Sequence, residues 1–424
     1  MGGRKNRRIS GREKGRDPEE RGCDTGYDKE RDMAEKKKRS SQKSRKTAGV
    51  LLMILSVAAG GAAGYGLAAF ADLSGAETGE FLFMMAGLII SIYIGSFLQT
   101  VIHEGGHLIF GLLSGYRFCS FRVGSFMWIQ KGGKIVFRRF SLAGTGGQCL
   151  MGPPDLTDGK VPYILYNLGG VLMNLISAAI FFGIALLLRE NFAVLVFFAA
   201  AAAMGLLLAL MNGIPLKLAM VNNDGQNIID IGKSSREMYS FWLQMKIAEL
   251  QAEGERLKDM PQEWFEVPND EEMKGSMTSV RAVSASNRLM EEHRFQENAR
   301  LIDHILSIDS AIPGIYRGLL ICDRVYCELT GEKSPEILAK WTEKDQQKVM
   351  KQMRNYPSVI RTQYAYALLV ENDRKKAGKL KKLFEKNLRS YPYEADGQIE
   401  KELVETAEEI WNAGRKEISD GQDN

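Results

Sequence analysis

Four long apolar stretches, all between Ala48 and Leu218, constrain this 424-residue chain more than any other feature. A helix needs about 20 apolar residues to cross the hydrocarbon of a bilayer. Ala48–Ala71 reaches that length without a charged side chain. It is too long and begins too late for a cleaved secretory signal, so it reads as an anchor. Its Gly60-x-x-x-Gly64 spacing suits close packing of a second helix, or reflects only the glycine common in such helices. The second span runs from Phe81 to about Gly115, the third over Val161–Leu188 and the fourth over Phe192–Leu216. Only Arg189-Glu190-Asn191 separates the last two, which predicts a tight antiparallel turn. The expected fold class is an α-helical polytopic membrane protein of about four transmembrane helices.

Outside these spans the chain is charged, so the mean hydropathy of −0.19 averages two kinds of sequence. Residues 1–47 hold basic runs such as Arg4–Arg8 and Lys36–Arg39 and lack apolar periodicity, which predicts a disordered basic segment. Met33 is an alternative start. Because an apolar span follows at once, the basic runs point to the lipid bilayer as partner rather than nucleic acid. The loop Asp72–Glu80 is short and acidic, whereas residues 116–160 carry seven Lys and Arg side chains from Arg117 to Lys160. The positive-inside rule then predicts a multi-pass protein of the cell membrane, with the 116–160 loop and both termini cytoplasmic. Within that loop, Phe121–Ile129 and Lys134–Leu142 predict a β-hairpin around Gln130-Lys131-Gly132-Gly133. The stretch Gly146–Met151 receives no assignment.

Residues 233–424 read as a soluble all-α domain. Apolar residues recur at three and four in Tyr239–Leu257, Val280–Leu306, Ile315–Leu329 and Val359–Leu388. Tyr364–Leu368 against Lys375–Lys382 resembles a helical hairpin. Stacked pairs of the tetratricopeptide type and a plain bundle fit equally; either offers a surface to a protein partner. The five cysteines are odd in number and contain no Cys-x-x-Cys pair, which fits a reducing compartment better than a disulfide framework.

Chemistry concentrates in His103-Glu104-Gly105-Gly106-His107, inside the second span and toward its C-terminal end. Residues four apart share a helix face, so both imidazoles reach one metal ion, and Glu104 stands beside them to take a proton from water there. Ionisable groups at membrane depth point to function or to tight pairing. Two histidines, a carboxylate and an open position form the hydrolytic arrangement of Zn2+, one per chain. Gly105 and Gly106 leave room for a substrate backbone or for close helix packing. Candidates for the third ligand are Asp155, Asp158, Glu190, Asp224 and Asp230; Asp224 is best placed, after the fourth span and among turn residues Asn222, Asn223 and Gly225. His293 and His304 read as surface or packing residues.

With these motifs the chain resembles the site-2 protease family of intramembrane zinc metalloproteases. His103–His107 corresponds to its His-Glu-x-x-His helix. Gly170-Val171-Leu172-Met173-Asn174 corresponds to its Gly-x-x-x-Asn element. Asn212-Gly213-Ile214-Pro215 with Asp224-Gly225 corresponds to its Asn-x-x-Pro and Asp-Gly segment. The match spans roughly residues 81–232. The resemblance implies that residues 48–232 form a membrane-embedded metalloprotease domain, that Asp224 completes the zinc site of His103 and His107, and that Glu104 is the catalytic base. It further implies that Asn174 holds the substrate carbonyl or oxyanion near the metal. It also implies that a β-element beside the site adds the unwound substrate as an extra strand. The interval from Pro215 to Asp224 exceeds the family's usual one by about a helical turn, which an inserted turn would absorb. The expected activity is cleavage of a membrane-spanning or membrane-adjacent peptide near the cytoplasmic face. The alternative is a non-catalytic metal-binding membrane scaffold whose helical domain binds a partner.

Overall fold

The computed structural model describes residues 78–141, 145–218 and 221–420. The expected basic segment at 1–47 and first span at 48–71 lie outside the described residues. Among the described residues, three helices are long and apolar enough to cross a membrane: α1 (Thr78–Leu113), α2 (Tyr163–Leu187) and α3 (Phe192–Gly213). Gly115, at φ +85°, lets the chain leave α1. The α2–α3 turn is the expected one, with Asn191 Oδ1 accepting from Val194 N at 3.2 Å. The helix α3 stops at Gly213, short of the expected Leu216, because Pro215 has no N–H to donate and disfavours helical backbone before it. On these helices Phe83, Tyr93, Phe97, Phe182 and Leu187 are exposed, whereas Gln99, His103, Glu104, His107, Asn174 and Ser177 are buried. Apolar outside and polar inside is the reverse of a water-soluble bundle and suits a lipid surround.

Between α1 and α2 lies a four-stranded antiparallel sheet rather than the expected hairpin. Its strands are β1 (Arg117–Val123), β2 (Phe126–Lys131), β3 (Lys134–Arg139) and β4 (Gly147–Gly152), in the order β3-β2-β1-β4. The stretch read as one strand over 121–129 is broken by a turn at Gly124, whose φ is +58°. The turn at Gly132-Gly133 is where the sequence puts it. The unassigned Gly146–Met151 stretch supplies the edge strand β4. Buried Arg122 ties β4 in, donating to the carbonyls of Gly124 at 2.8 Å and Gly147 at 3.2 Å. One face of β2 buries Met127 and Ile129 against Ala252; the other exposes Phe126 and Trp128 beside Phe137 of β3.

The remainder is helical, as expected: α4 (Asp224–Ile231), α5 (Ser235–Glu253), α6 (Ser276–Glu291), α7 (Phe295–Ser307), α8 (Gly314–Leu329), α9 (Pro335–Lys340), α10 (Lys344–Gln352), α11 (Pro357–Leu369), α12 (Arg374–Leu388) and α13 (Glu394–Asp420). The periodic run 280–306 divides at His293, whose φ is +56°, and the run 359–388 divides at Asn372, whose φ is +51°. The second division makes α11 and α12 the expected helical hairpin. Arg117 forks onto Glu249 of α5 at 2.8 and 3.1 Å, fastening the sheet to the helical region. Cys119, Cys149, Cys322 and Cys327 are all free and buried.

Inside the helical region, buried Arg361 of α11 bonds to Asp323 of α8, lies 3.3 Å from Glu400 of α13 and stacks over Tyr326 at 4.4 Å. Burial pushes the Glu400 carboxyl up to about 7, against the pull of Arg361. A carboxyl that titrates higher folded than unfolded adds stability below its unfolded value of about 4, and that stability is lost as pH rises through about 7. The wild-type unfolding midpoint is therefore expected to drop between about pH 5 and about pH 8, and to drop less in Glu400→Gln. Equal pH slopes in thermal melts of the two proteins would contradict the assignment.

Candidate metal centre

His103 and His107 sit one turn apart on α1 and turn their Nε2 atoms to one point, 3.2 Å from each other. Asp224, the first residue of α4, brings Oδ2 to 3.2 Å from His103 Nε2 and 3.5 Å from His107 Nε2. Among the described residues these three form the cluster that could hold a metal ion. The other acids considered stand elsewhere. Asp155, Asp158 and Glu190 are exposed. Asp230 is occupied by Gln226, Asn222 and Lys233. His304 is exposed and pairs with Asp270 at 2.8 Å, and His293 faces Phe295, so neither histidine joins a second cluster.

The outer bonds fix the tautomers. His107 Nδ1 lies 2.8 Å from the Tyr166 carbonyl, which only accepts, so Nδ1 carries the proton. His103 Nδ1 lies 2.7 Å from Asn174 Oδ1. The Asn174 amide cannot be reversed, because its Nδ2 donates to the Gln99 carbonyl at 2.9 Å and to Gln99 Oε1 at 2.8 Å. Gln99 is itself held by Ser177 Oγ and the Ala201 carbonyl. Both Nε2 atoms therefore present lone pairs, and Asp224 Oδ2 is buried without a hydrogen bond. Three acceptors facing one point can hold a cation between them. Bonds of about 2.0–2.1 Å to a tetrahedral zinc would set its ligand atoms about 3.3 Å apart, which matches the three separations here. The residues present fit the ion.

Glycines make the convergence sterically feasible. A Cβ at Gly170 would stand 2.5 Å from the His103 ring, and one at Gly106 would stand 2.2 Å from the Gly169 carbonyl oxygen. Gly106 is thus a packing position, whereas a Cβ at Gly105 would meet nothing within 4 Å. The described residues of the long interval before Asp224, 216–218 and 221–223, are not helical; Lys217 and Asn222 bridge there and Asn223 pins the segment. Asn223 Nδ2 donates to the carbonyls of Met211 at 2.7 Å and Ile214 at 2.6 Å, and its Oδ1 caps α4 by accepting from Gln226 N at 3.0 Å.

Buried Glu104 lines the same cavity as the ligand triangle and lies against β4, where a Cβ on Gly147 would stand 2.4 Å from its Oε1. Only glycine fits that strand position beside the carboxylate. The site opens into a cavity of about 680 Å3, lined by Glu104, the triad and β4 residues 147–150 on one side and by the helical region on the other. The sequence reading named the triad, Glu104 and Asn174. It missed Gln99, one turn before His103, although a polar residue in register with the histidines is a visible signal. It also missed Tyr166, whose carbonyl orients His107, whose hydroxyl donates to the Cys149 carbonyl at 2.9 Å and whose ring stacks on Tyr116. No family model, curated protein or solved structure matches the chain.

Metal analysis checks this geometry. One divalent transition ion per chain is expected, lost in His107→Ala and Asp224→Ala. Asn174→Ala is expected to bind about 10–100-fold more weakly, because His103 loses its orienting acceptor. Unchanged metal content in Asp224→Ala would remove that residue from the centre.

Proposed function

We propose that this chain is a zinc-dependent intramembrane endopeptidase of the site-2 protease type, cutting a membrane-spanning or membrane-adjacent peptide near the cytoplasmic face. One observation carries the reading: His103, His107 and Asp224 converge on a single buried point in a helix long enough to cross a membrane, with Glu104 adjacent. When bound, zinc would supply a Lewis acid and lower the pKa of a water from 15.7 to about 7. Glu104 takes the proton from the attacking water and returns it to the leaving amine. Asn174 and the Tyr166 carbonyl hold the imidazoles in the tautomers the chemistry needs. In the present arrangement Asn174 has both amide ends engaged, so we assign it to positioning His103 rather than to the oxyanion.

The edge strand β4 lines the cavity next to Glu104, with β1 on its other side. A substrate unwound to an extended strand can pair with that edge, which would bring its backbone past the carboxylate. The exposed Phe126, Trp128 and Phe137 suit the headgroup zone of a bilayer. The basic loop, the sheet and the helical pairs then lie on the cytoplasmic side, where the pairs offer a docking surface. The alternative, a metal-binding scaffold, needs the same triad but has no use for a carboxylate beside it, so buried Glu104 supports the catalytic reading.

Glu104→Gln is expected to retain zinc and to lower cleavage at least about 100-fold, from the loss of the general base. The check is release of a truncated fragment when the chain is expressed with tagged membrane proteins. Full activity in the metal-loaded variant would refute the role. Gly147→Val is expected to lower cleavage in the same assay, by driving a side chain into Glu104.

A further inference from the structure

The cavity that begins at the triad does not end in the membrane region. It continues to Tyr316 of α8, to Tyr356 and Tyr391 beside α11 and α12, and to Asp396 in the first turn of α13. Among the described residues its lining holds Glu104, Asp224 and Asp396 but no Lys or Arg, although the chain has 56 basic against 52 acidic residues. Glu104 and Asp224 are committed to the metal end. Asp396 alone is left to set the charge of the far end.

The surroundings of Asp396 are those of a receptor for a cation. Carboxylates at helix starts are ordinary, but this one is walled into a cavity rather than set in water. Gln251 Nε2 donates to its Oδ1 at 2.6 Å. Burial lifts the carboxyl to about 7; the Gln251 and Tyr391 bonds work against that, and Glu291 nearby adds to it. An incoming ammonium or guanidinium relieves the burden of a desolvated anion. Around it, Tyr391 meets Tyr356 at 6.1 Å and Phe140 at 5.6 Å between ring centroids, both edge to face. Aromatic walls take the alkyl stem of a long basic side chain and attract its charged head. The cytoplasmic flank of a membrane-spanning segment is where Lys and Arg accumulate.

We propose that the Asp396 end of the cavity is a specificity subsite for one Lys or Arg on the cytoplasmic flank of the cleaved membrane segment, held while the scissile bond lies at Glu104. The assignment rests on the endopeptidase reading for its substrate, and binding tests it without cleavage. Synthetic membrane-spanning peptides, identical except for Lys or Gln at successive positions past the apolar stretch, are titrated into full-length Glu104→Gln protein in lipid nanodiscs. Lys at one position is expected to bind at least tenfold more tightly than Gln there. The preference is expected to vanish in Glu104→Gln/Asp396→Asn and to persist in Glu104→Gln/Asp396→Glu. Equal affinity for Lys and Gln at every position, no binding of either, or a preference that survives Asp396→Asn would overturn it. The first comparison uses protein with Asp396 intact, so misfolding of a variant does not obscure it. The same peptides given to zinc-loaded wild type separate the two ideas. Lys-selective binding without cleavage sinks the protease and keeps the subsite, whereas equal kcat/KM for both peptides sinks the subsite and keeps the protease.

Discussion

Three lone pairs aimed at one buried point organise the membrane half of this molecule. His103 Nε2, His107 Nε2 and Asp224 Oδ2 repel one another unless a cation joins them, and the surrounding structure holds them there. The imidazole protons are drawn to the far side by Asn174 and Tyr166. Glycines at 106, 169 and 170 bring α2 against the ring of His103. Asn223 spends its whole amide fastening the loop that delivers Asp224. Asn174, Tyr166, Gly170 and Asn223 each touch a member of the triad or the segment that carries it, whereas Gly106 and Gly169 serve the close packing of the two helices.

The sheet and the helical region are joined to that point by short chains of contact. Tyr166 touches both His107 and β4, through its carbonyl and its hydroxyl. Arg122 fixes where β4 begins, and Arg117 carries the sheet onto α5. Gln251 of α5 then reaches Asp396 of α13. A shift of the helical region relative to the sheet would therefore be felt at the strand beside Glu104.

The parts legible in the sequence are those encoded locally. The spans follow from unbroken apolar runs, and the two histidines from their spacing on one helix face. The helical hairpin α11–α12 shows in its own periodicity. The rest depends on contacts between distant segments. β4 is rich in Gly, Gln and Cys, so it lacks a strand composition and becomes a strand only by pairing with β1. A Phe-rich run concealed the turn at Gly124 that separates β1 from β2. The approach of Asp224 was obscured by its long interval from Pro215, whose described residues are not helical. The orienting role of Tyr166 belongs to a backbone carbonyl, which leaves no local pattern, whereas Gln99, one turn before His103, shows only as a polar residue in an apolar helix.

The contact between Gly106 and Gly169 has a further consequence. At the level of the imidazoles the two backbones meet with no side chain between them, and Gln99 and Asn174 bolt the seam one turn away. A polymer cannot slip between α1 and α2 there without dismantling the ligands themselves. On the proposed endopeptidase reading, the path of a bound chain would run laterally along the strand flank, and the sheet would govern its direction past Glu104.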